Sequence, residues 1–185
     1  MKKVVMSLLV SALSVAGVYA QKNTVLVYGS IKAESQKTSE SNKVNTFGFS
    51  PAVGYQFTDN WTAGLSLSTE SWKTTTNAVE SKTSAFAVGP FIRYAVPLSD
   101  IFALYGQFNA DILSGKTGGI SANGFRGTFF PAIGVNMKNG FALNFSFGGL
   151  SYASLKPKGA SESTTNFKFD FGSGASFGIS KNFGL

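Results

Sequence analysis

The sequence predicts an all-β fold, an eight-stranded antiparallel up-and-down (meander) barrel that spans a membrane. Apolar residues recur with a period of two along most of the chain, and turns of alternating length separate the segments of alternation. Charged residues make up only 14% of the chain, against about 25% in typical soluble domains, while phenylalanine occurs 18 times. Because no long apolar run follows residue 20, this apolar character indicates membrane strands rather than membrane helices.

The clearest strand lies at 47–57, where large apolar side chains alternate with glycine, alanine, serine and glutamine. A period of two indicates a strand, because the apolar stripe of a helix recurs every three to four residues. The same pattern returns at 86–96 and at 129–137, which indicates a hairpin-sized internal repeat. Prolines occupy matching positions in the three segments, and we expect local bulges there because proline cannot donate to a ladder: Pro51, Pro90 and Pro131.

The connections between strands indicate the topology. Partner strands begin directly after short turns, and Asn139-Gly140 is the strongest hairpin signal among those turns. Together with a first and a last alternating segment, the strands number eight and are expected at 25–31, 47–57, 61–67, 86–96, 102–112, 129–137, 141–147 and 167–183. Polar connections of about ten residues are expected on the opposite rim, near 34–43, 73–82, 114–123 and 156–164. Short turns on one rim and longer loops on the other put both termini on the periplasmic side.

The first twenty residues have the layout of a secretory signal peptide. Lys2 and Lys3 precede an apolar stretch at 4–18, and a small residue, Ala20, ends the segment. The stretch is too short for a membrane-spanning helix, which needs about twenty residues. We therefore expect a signal peptide at 1–20 and a single barrel domain at 21–185.

The polar phase of the strands indicates which face meets the membrane. In a soluble barrel of the lipocalin type that phase would face water and would be rich in lysine and glutamate. Here it consists mostly of small residues, such as Gly48, Ser50, Ala52 and Gly54. Eight strands enclose a lumen that side chains just fill, so small residues suit the inside and aromatic residues suit the outside.

Charged residues within the strands fall largely in the same polar phase. Facing lipid at mid-membrane, an arginine or lysine would cost about 2–4 kcal/mol, so we expect these side chains to point inward. The sequence predicts an interior ion-pair network that closes the barrel, formed by Lys32, Glu70, Arg93, Asp111, Arg126, Lys168 and Asp170.

Other lysines fall in the polar connections of the outer rim. The simpler interpretation is that they keep this rim hydrated and soluble. The further hypothesis is that some of them contact the phosphates of lipopolysaccharide, because basic groups attract anionic headgroups. The lysines concerned are Lys37, Lys43, Lys73, Lys82, Lys116, Lys156 and Lys158.

The chain resembles the small outer-membrane β-barrel proteins of Gram-negative bacteria, in the broad OmpA/OmpX-like group. The segments that carry the resemblance are 46–55, 88–94, 142–152 and the closing strand. The resemblance implies an integral protein of the cell outer membrane, and a last-strand signal that the barrel-assembly machinery recognises. Phe177, Ile179 and Phe183 resemble that signal, with Lys181 and the terminal Leu185 as departures.

The sequence lacks the side chains that most catalytic or metal sites use. Histidine and cysteine are absent, so the usual general base, the commonest metal ligand and any thiolate are missing. Asp111 and Asp170 are the best carboxylate pair, and ion pairing is the interpretation we favour for them. We expect no catalytic, cofactor-binding or metal site, no cofactor, and no nucleic-acid partner, because the lysines are spread among acidic residues.

The expected function is therefore that of a non-enzymatic, monomeric barrel in outer-membrane lipid and lipopolysaccharide. Its role would be structural or in surface interaction through extracellular loops. Two alternatives remain open at this point: a narrow passive pore for small solutes, and a soluble periplasmic, lipocalin-like barrel that binds a ligand.

Overall fold

The computed structural model describes residues 22–39, 42–76 and 79–185. The predicted signal peptide, 1–20, lies outside these residues. The described residues form eight strands: β1 (Thr24–Ser39), β2 (Asn42–Gln56), β3 (Trp61–Thr76), β4 (Val79–Pro97), β5 (Phe102–Thr117), β6 (Ile120–Asn136), β7 (Phe141–Pro157) and β8 (Thr164–Gly184). Each strand pairs antiparallel with the next, and β8 pairs with β1, so the predicted closed meander barrel is confirmed. No helix formed by the described residues is long and apolar enough to cross a membrane.

Hairpin turns lie where the sequence calls for a left-handed backbone. Asn139 and Gly140 have φ angles of 62° and 73°, which confirms the predicted turn between β6 and β7. Gly118 and Gly119, with φ angles of 55° and 92°, form the turn between β5 and β6. Glycine and asparagine adopt positive φ at turn positions at the lowest cost, which is why they occupy both turns.

The long polar connections expected on the outer rim are mostly strand. β5 ends at Thr117 and β6 begins at Ile120, and β1 and β3 likewise extend to Ser39 and Thr76. Among the described connections of this rim, the one between β7 and β8 spans 158–163. The expected loop lengths were wrong because backbone pairing does not need apolar side chains, and polar strands are well solvated once they leave the membrane.

The apolar phase of the strands faces outward. Phe49, Val53, Leu65 and Ile92 are 41–59% exposed on the outside of the barrel, whereas Ala52, in the other phase, is 7% exposed. Acyl chains solvate an outward belt of aromatic and aliphatic side chains well, whereas water does not. The soluble lipocalin-like alternative is therefore wrong.

Glycine makes room for an aromatic ring inside the barrel. Phe91 of β4 points inward and is only 3% exposed. A Cβ atom at Gly54 would lie 2.8 Å from Cζ of Phe91, and one at Gly64 would lie 2.7 Å from Cε1 of the same ring. The Cβ at Gly64 would also overlap the carbonyl oxygen of Val53. The small residues of β2 and β3 therefore allow the strands and the ring to pack closely in a narrow lumen.

The three repeat prolines each interrupt the ladder to one neighbour only. Pro51 pairs with Gly29 of β1 but leaves a gap in the ladder to β3, and Pro90 leaves a similar gap between β4 and β5. The register is unchanged across both gaps, so the expected bulges are wrong there. At Pro131 the register between β6 and β7 does shift, as expected. In an antiparallel sheet the backbone of each residue forms hydrogen bonds with only one of its two neighbouring strands. Each proline therefore breaks the ladder on one side only.

Candidate functional site in the barrel lumen

The periplasmic half of the lumen is filled by a cluster centred on Arg93. The guanidinium of Arg93 on β4 donates from Nε and Nη2 to Oε1 of Gln107 on β5, at 2.8 and 2.6 Å. Nε2 of Gln107 donates to the hydroxyl oxygen of Tyr28 at 2.9 Å and to Oδ1 of Asn109 at 2.8 Å. Arg93 is 5% exposed and Gln107 is completely buried. We call Tyr28, Arg93, Tyr105 and Gln107 the luminal plug.

Aromatic rings, not carboxylates, surround the charge of Arg93. Cζ of Arg93 lies 4.1 Å from the ring centroid of Tyr105 and 4.8 Å from that of Tyr28. No carboxylate oxygen of the described residues lies within salt-bridge distance of this guanidinium. The charge is stabilised by two aromatic ring faces and an amide oxygen. These interactions are stronger when water is excluded.

An ion pair lies above the plug. Nη2 of Arg126 on β6 is 2.9 Å from Oδ2 of Asp111 on β5, and the two residues stand directly opposite each other in the ladder. The Asp111 side chain is 4% exposed, and the Arg126 side chain is 32% exposed. Ser66 donates to Oδ1 of Asp111 at 3.4 Å, and Nη2 of Arg126 donates to Oγ of Ser68 at 3.5 Å. This pair links β5 and β6 to β3 across the lumen.

The other residues of the expected network lie apart. Lys32 pairs with Glu34 at 3.7 Å, and Lys168 pairs with Asp170 at 2.8 Å, both on strand segments nearer the outer rim. Glu70 points inward beside Gly48, where a Cβ would lie 3.6 Å from its Oε1, and it has no ion-pair partner among the described residues. Two ion pairs therefore form within the expected set, Arg126 with Asp111 and Lys168 with Asp170, and the described residues do not join all seven into one network.

The residues that sequence reasoning missed are uncharged. Tyr28, Tyr105, Gln107 and Asn109 all lie in the polar phase of their strands, which was the only sequence signal for them. The alternation shows that such residues point inward. It does not show which residues of different strands stand at the same height, because that depends on the shear of the barrel.

A cavity of about 240 Å³, lined by both polar and apolar side chains, lies above the plug. Its wall includes Asp111, Arg126 and Glu70. Serines of five strands also line it, namely Ser30, Ser50, Ser66, Ser68, Ser146 and Ser176. A cavity of this size and polarity has room for several water molecules or for one small polar group. No group of three or more Asp or Glu side chains with metal-ligand spacing occurs among the described residues.

The outer-rim lysines lie mostly on strand extensions rather than in loops. Lys37 stands opposite Lys43, and Lys73 stands opposite Lys82 and pairs with Glu80 at 2.6 Å. Lys116 lies on β5 and Lys156 on β7, and Lys158 follows β7. Lys82 and Lys116 border a groove of about 490 Å³ that also includes the outward-facing Phe47 and Phe86. This groove brings two lysines next to two large apolar side chains, and Glu70 also borders it.

Lys181 interrupts the apolar series of the last strand, but it contacts aromatic rings. Its Nζ lies 4.6 Å from the ring centroid of Phe141 and 4.9 Å from that of Phe183. Phe177 and Ile179 of the same strand face outward and are 71% and 51% exposed. The ammonium group of Lys181 is therefore in contact with two aromatic rings of the outward belt.

A known family model matches nearly the whole chain. The model of the outer membrane protein beta-barrel domain family matches residues 5–185. The outer membrane protein Ail of Yersinia pestis, solved in a phospholipid bilayer nanodisc, is 14% identical; the match covers 88% of this chain and all of Ail, with a TM-score of 0.39. The translocator domain of the autotransporter NalP from Neisseria meningitidis is 20% identical; the match covers 90% of this chain and 64% of that domain, with a TM-score of 0.43.

A search of curated sequences gives no significant match. The family model nonetheless spans all the residues that form the barrel, and the outward belt is that of a protein in the outer membrane. The chain belongs to the outer membrane protein beta-barrel domain family.

Proposed function

We propose that the protein is a non-enzymatic barrel with a structural or surface-interaction role, and that its lumen does not conduct. The observation that carries this proposal is the luminal plug: Gln107 has no exposed surface, and Arg93 has 5%. An eight-stranded lumen is just wide enough for side chains, so one buried cluster is sufficient to close it. The carboxylates agree with a non-enzymatic role, because Asp111 and Asp170 each lie within 3 Å of a cation.

Planar bilayer recording tests the closed lumen. The purified protein, folded and heat-modifiable in electrophoresis, should give no steady conductance. The double variant Arg93→Ala, Gln107→Ala removes the side chains that fill the centre of the plug and should give measurable channels. Lys82→Ala, on the outer rim, is the control and should be as silent as the unmodified protein. Steady conductance of the unmodified barrel would support the passive pore instead.

We also propose that the outer-rim lysines contact the phosphates of lipopolysaccharide. The groove beside Lys82 and Lys116 supports this. Its lysines would meet the phosphates of the lipid, and the neighbouring Phe47 and Phe86 would meet the acyl chains. Each lysine near an anionic surface contributes about 1 kcal/mol.

Glutamine variants of the groove lysines test this contact. Lys82→Gln with Lys116→Gln should lower the amount of lipopolysaccharide that co-purifies with the barrel and lower the stability that added lipopolysaccharide confers. Lys156→Gln with Lys158→Gln removes the same charge away from the groove and should have a smaller effect. Unchanged co-purification in a variant with all seven outer-rim lysines replaced would refute the contact.

A further inference from the structure

The β2–β3 turn at 57–61 and the β4–β5 turn at 98–102 share one backbone geometry. In both, the N–H groups of the first two turn residues donate to the carbonyl oxygen of the fifth, at 3.1 and 3.5 Å in the first turn and at 2.8 and 3.1 Å in the second. The second residue, Thr58 or Ser99, caps the turn, because its hydroxyl oxygen accepts from the N–H groups of the fourth and fifth residues. The two turns can therefore be compared position by position.

Polar side chains hold the β2–β3 turn in place. Nδ2 of Asn60, the fourth turn residue, donates to the carbonyl oxygen of Ala95 on β4 at 2.7 Å. Nε2 of Gln56, just before the turn, donates to the carbonyl oxygen of the third turn residue at 2.9 Å. The equivalent positions of the β4–β5 turn hold Ile101 and Pro97, whose side chains have no donor. The same backbone therefore carries polar side chains in one turn and apolar side chains in the other.

The β4–β5 turn exposes two large aliphatic side chains. Leu98 is 63% exposed and Ile101 is 54% exposed, against 40% for Phe57 at the first position of the other turn. Both lie beyond the last pair of the β4–β5 ladder, Pro97 with Ala103. We call Leu98 and Ile101 the apolar tip. An exposed apolar surface that joins a larger apolar patch is typical of an interaction site.

The apolar tip is continuous with the outward belt of the barrel. Val96 of β4 and Leu104 of β5 stand opposite each other in the ladder and are 39% and 46% exposed. Leu98 follows Val96 in the outward phase, and Phe102, 47% exposed, precedes Leu104. No polar side chain of these strands separates the tip from the belt. A protein that covered Leu98 and Ile101 would displace lipid from Val96 and Phe102, so lipid is the partner that fits this surface.

We propose that the β4–β5 turn inserts into the periplasmic leaflet of the membrane and anchors the barrel in phospholipid from below. Leu98 and Ile101 meet the acyl chains next to the headgroups, a boundary region about 5–10 Å deep in which exposed apolar side chains are well solvated. The hydroxyl of Ser99 is occupied by backbone N–H groups of the turn, and the charged Asp100 stays among the headgroups. The β2–β3 turn, with its polar side chains, remains in water.

Depth-dependent fluorescence quenching tests the anchor, because the natural chain has no cysteine that would compete for a label. Asp100→Cys and Asp59→Cys put a bimane fluorophore at the third position of each turn, where both aspartates are exposed, and leave the apolar tip intact. In phosphatidylcholine vesicles with brominated acyl chains, the label at position 100 should be quenched about threefold or more strongly than the label at position 59. Iodide on both sides of the membrane should quench the two labels in the opposite order.

A tip variant connects the insertion to the two side chains. Leu98→Thr with Ile101→Asn makes the β4–β5 turn polar, and should lower the quenching at position 100 by brominated lipid to the level at position 59. Heat-modifiable electrophoresis checks that this variant folds. Undiminished quenching in the folded variant would overturn the proposal, because the insertion would then not depend on Leu98 and Ile101.

The comparison of positions 100 and 59 decides the proposal even if the tip variant folds poorly. Equal quenching of the two labels by brominated lipid would overturn it, and would leave the apolar tip available to a periplasmic protein. Stronger quenching by iodide at position 100 than at position 59 would overturn it as well, because the β4–β5 turn would then lie in water.

Discussion

Replacing Gly64 with alanine is expected to lower the free energy of unfolding of the barrel by about 3 kcal/mol or more. The new Cβ would overlap the carbonyl oxygen of Val53 and lie 2.5 Å from Cα of Gly54 and 2.7 Å from the Phe91 ring. Two of these three neighbours are backbone atoms in a paired strand, so a side-chain rotation cannot relieve the overlap. Urea unfolding in lipid vesicles, followed by heat-modifiable electrophoresis, measures the effect.

Gly134→Ala is the matched control for this substitution. Gly134 is also a buried glycine of the lumen, but its nearest contact for an added Cβ is Oδ1 of Asn144 at 3.7 Å. This is ordinary van der Waals distance, so the control variant should be nearly as stable as the unmodified barrel. Equal destabilisation by the two substitutions would mean that any added methyl group is harmful in the lumen, and that the close packing at Gly64 is not special.

The second large effect is expected when Arg126 is replaced by methionine. Asp111 would keep its buried position but lose the guanidinium that lies 2.9 Å from its Oδ2, and among the described residues Ser66 would remain as its donor. An uncompensated buried charge of this kind costs about 3–5 kcal/mol. The folded fraction after refolding from urea into vesicles, as a function of urea concentration, gives the change in the free energy of unfolding.

A double variant separates the lost pair from the lost packing. Arg126→Met with Asp111→Asn has no unpaired charge and should regain most of the stability that Arg126→Met loses, because a neutral amide is far cheaper to bury than a carboxylate. If the double variant is as unstable as the single one, then Arg126 stabilises the barrel through its packing or its contact with Ser68 and not through Asp111.

The strands and their orientation could be predicted from the sequence because both depend on local pattern. Alternation assigns each residue to one of two faces, and small residues such as Gly54 and Gly64 mark the crowded one. The outward position of Leu65 and Ile92 follows from the same pattern. These predictions needed no knowledge of which strand segments stand at the same height.

Pairing across the lumen could not be predicted in the same way. Arg93 was expected to meet a carboxylate, but the residue at its height on β5 is Gln107, directly opposite it in the ladder. Asp111 is opposite Arg126 instead. The register of each strand pair sets these neighbours, and register depends on turn geometry and on irregularities such as the one at Pro131. For this reason the sequence could name the inward charges but not which of them would meet.

The outer hairpins show a different limit. Polar stretches such as 73–82 were interpreted as loops because their side chains favour water. Backbone pairing continues through them, since Lys73 stands opposite Lys82 and Thr76 opposite Val79. Composition indicates where the membrane ends and does not indicate where the strand ends.

Continuous pairing in these hairpins gives the side chains of the outer, extracellular rim a regular spacing. Side chains on one face of a ribbon repeat about every 7 Å along a strand and about every 5 Å across it, so lysines and hydroxyls form an ordered grid. Binding of a partner that matches this spacing would cost the barrel little conformational entropy, because the paired strands are already ordered.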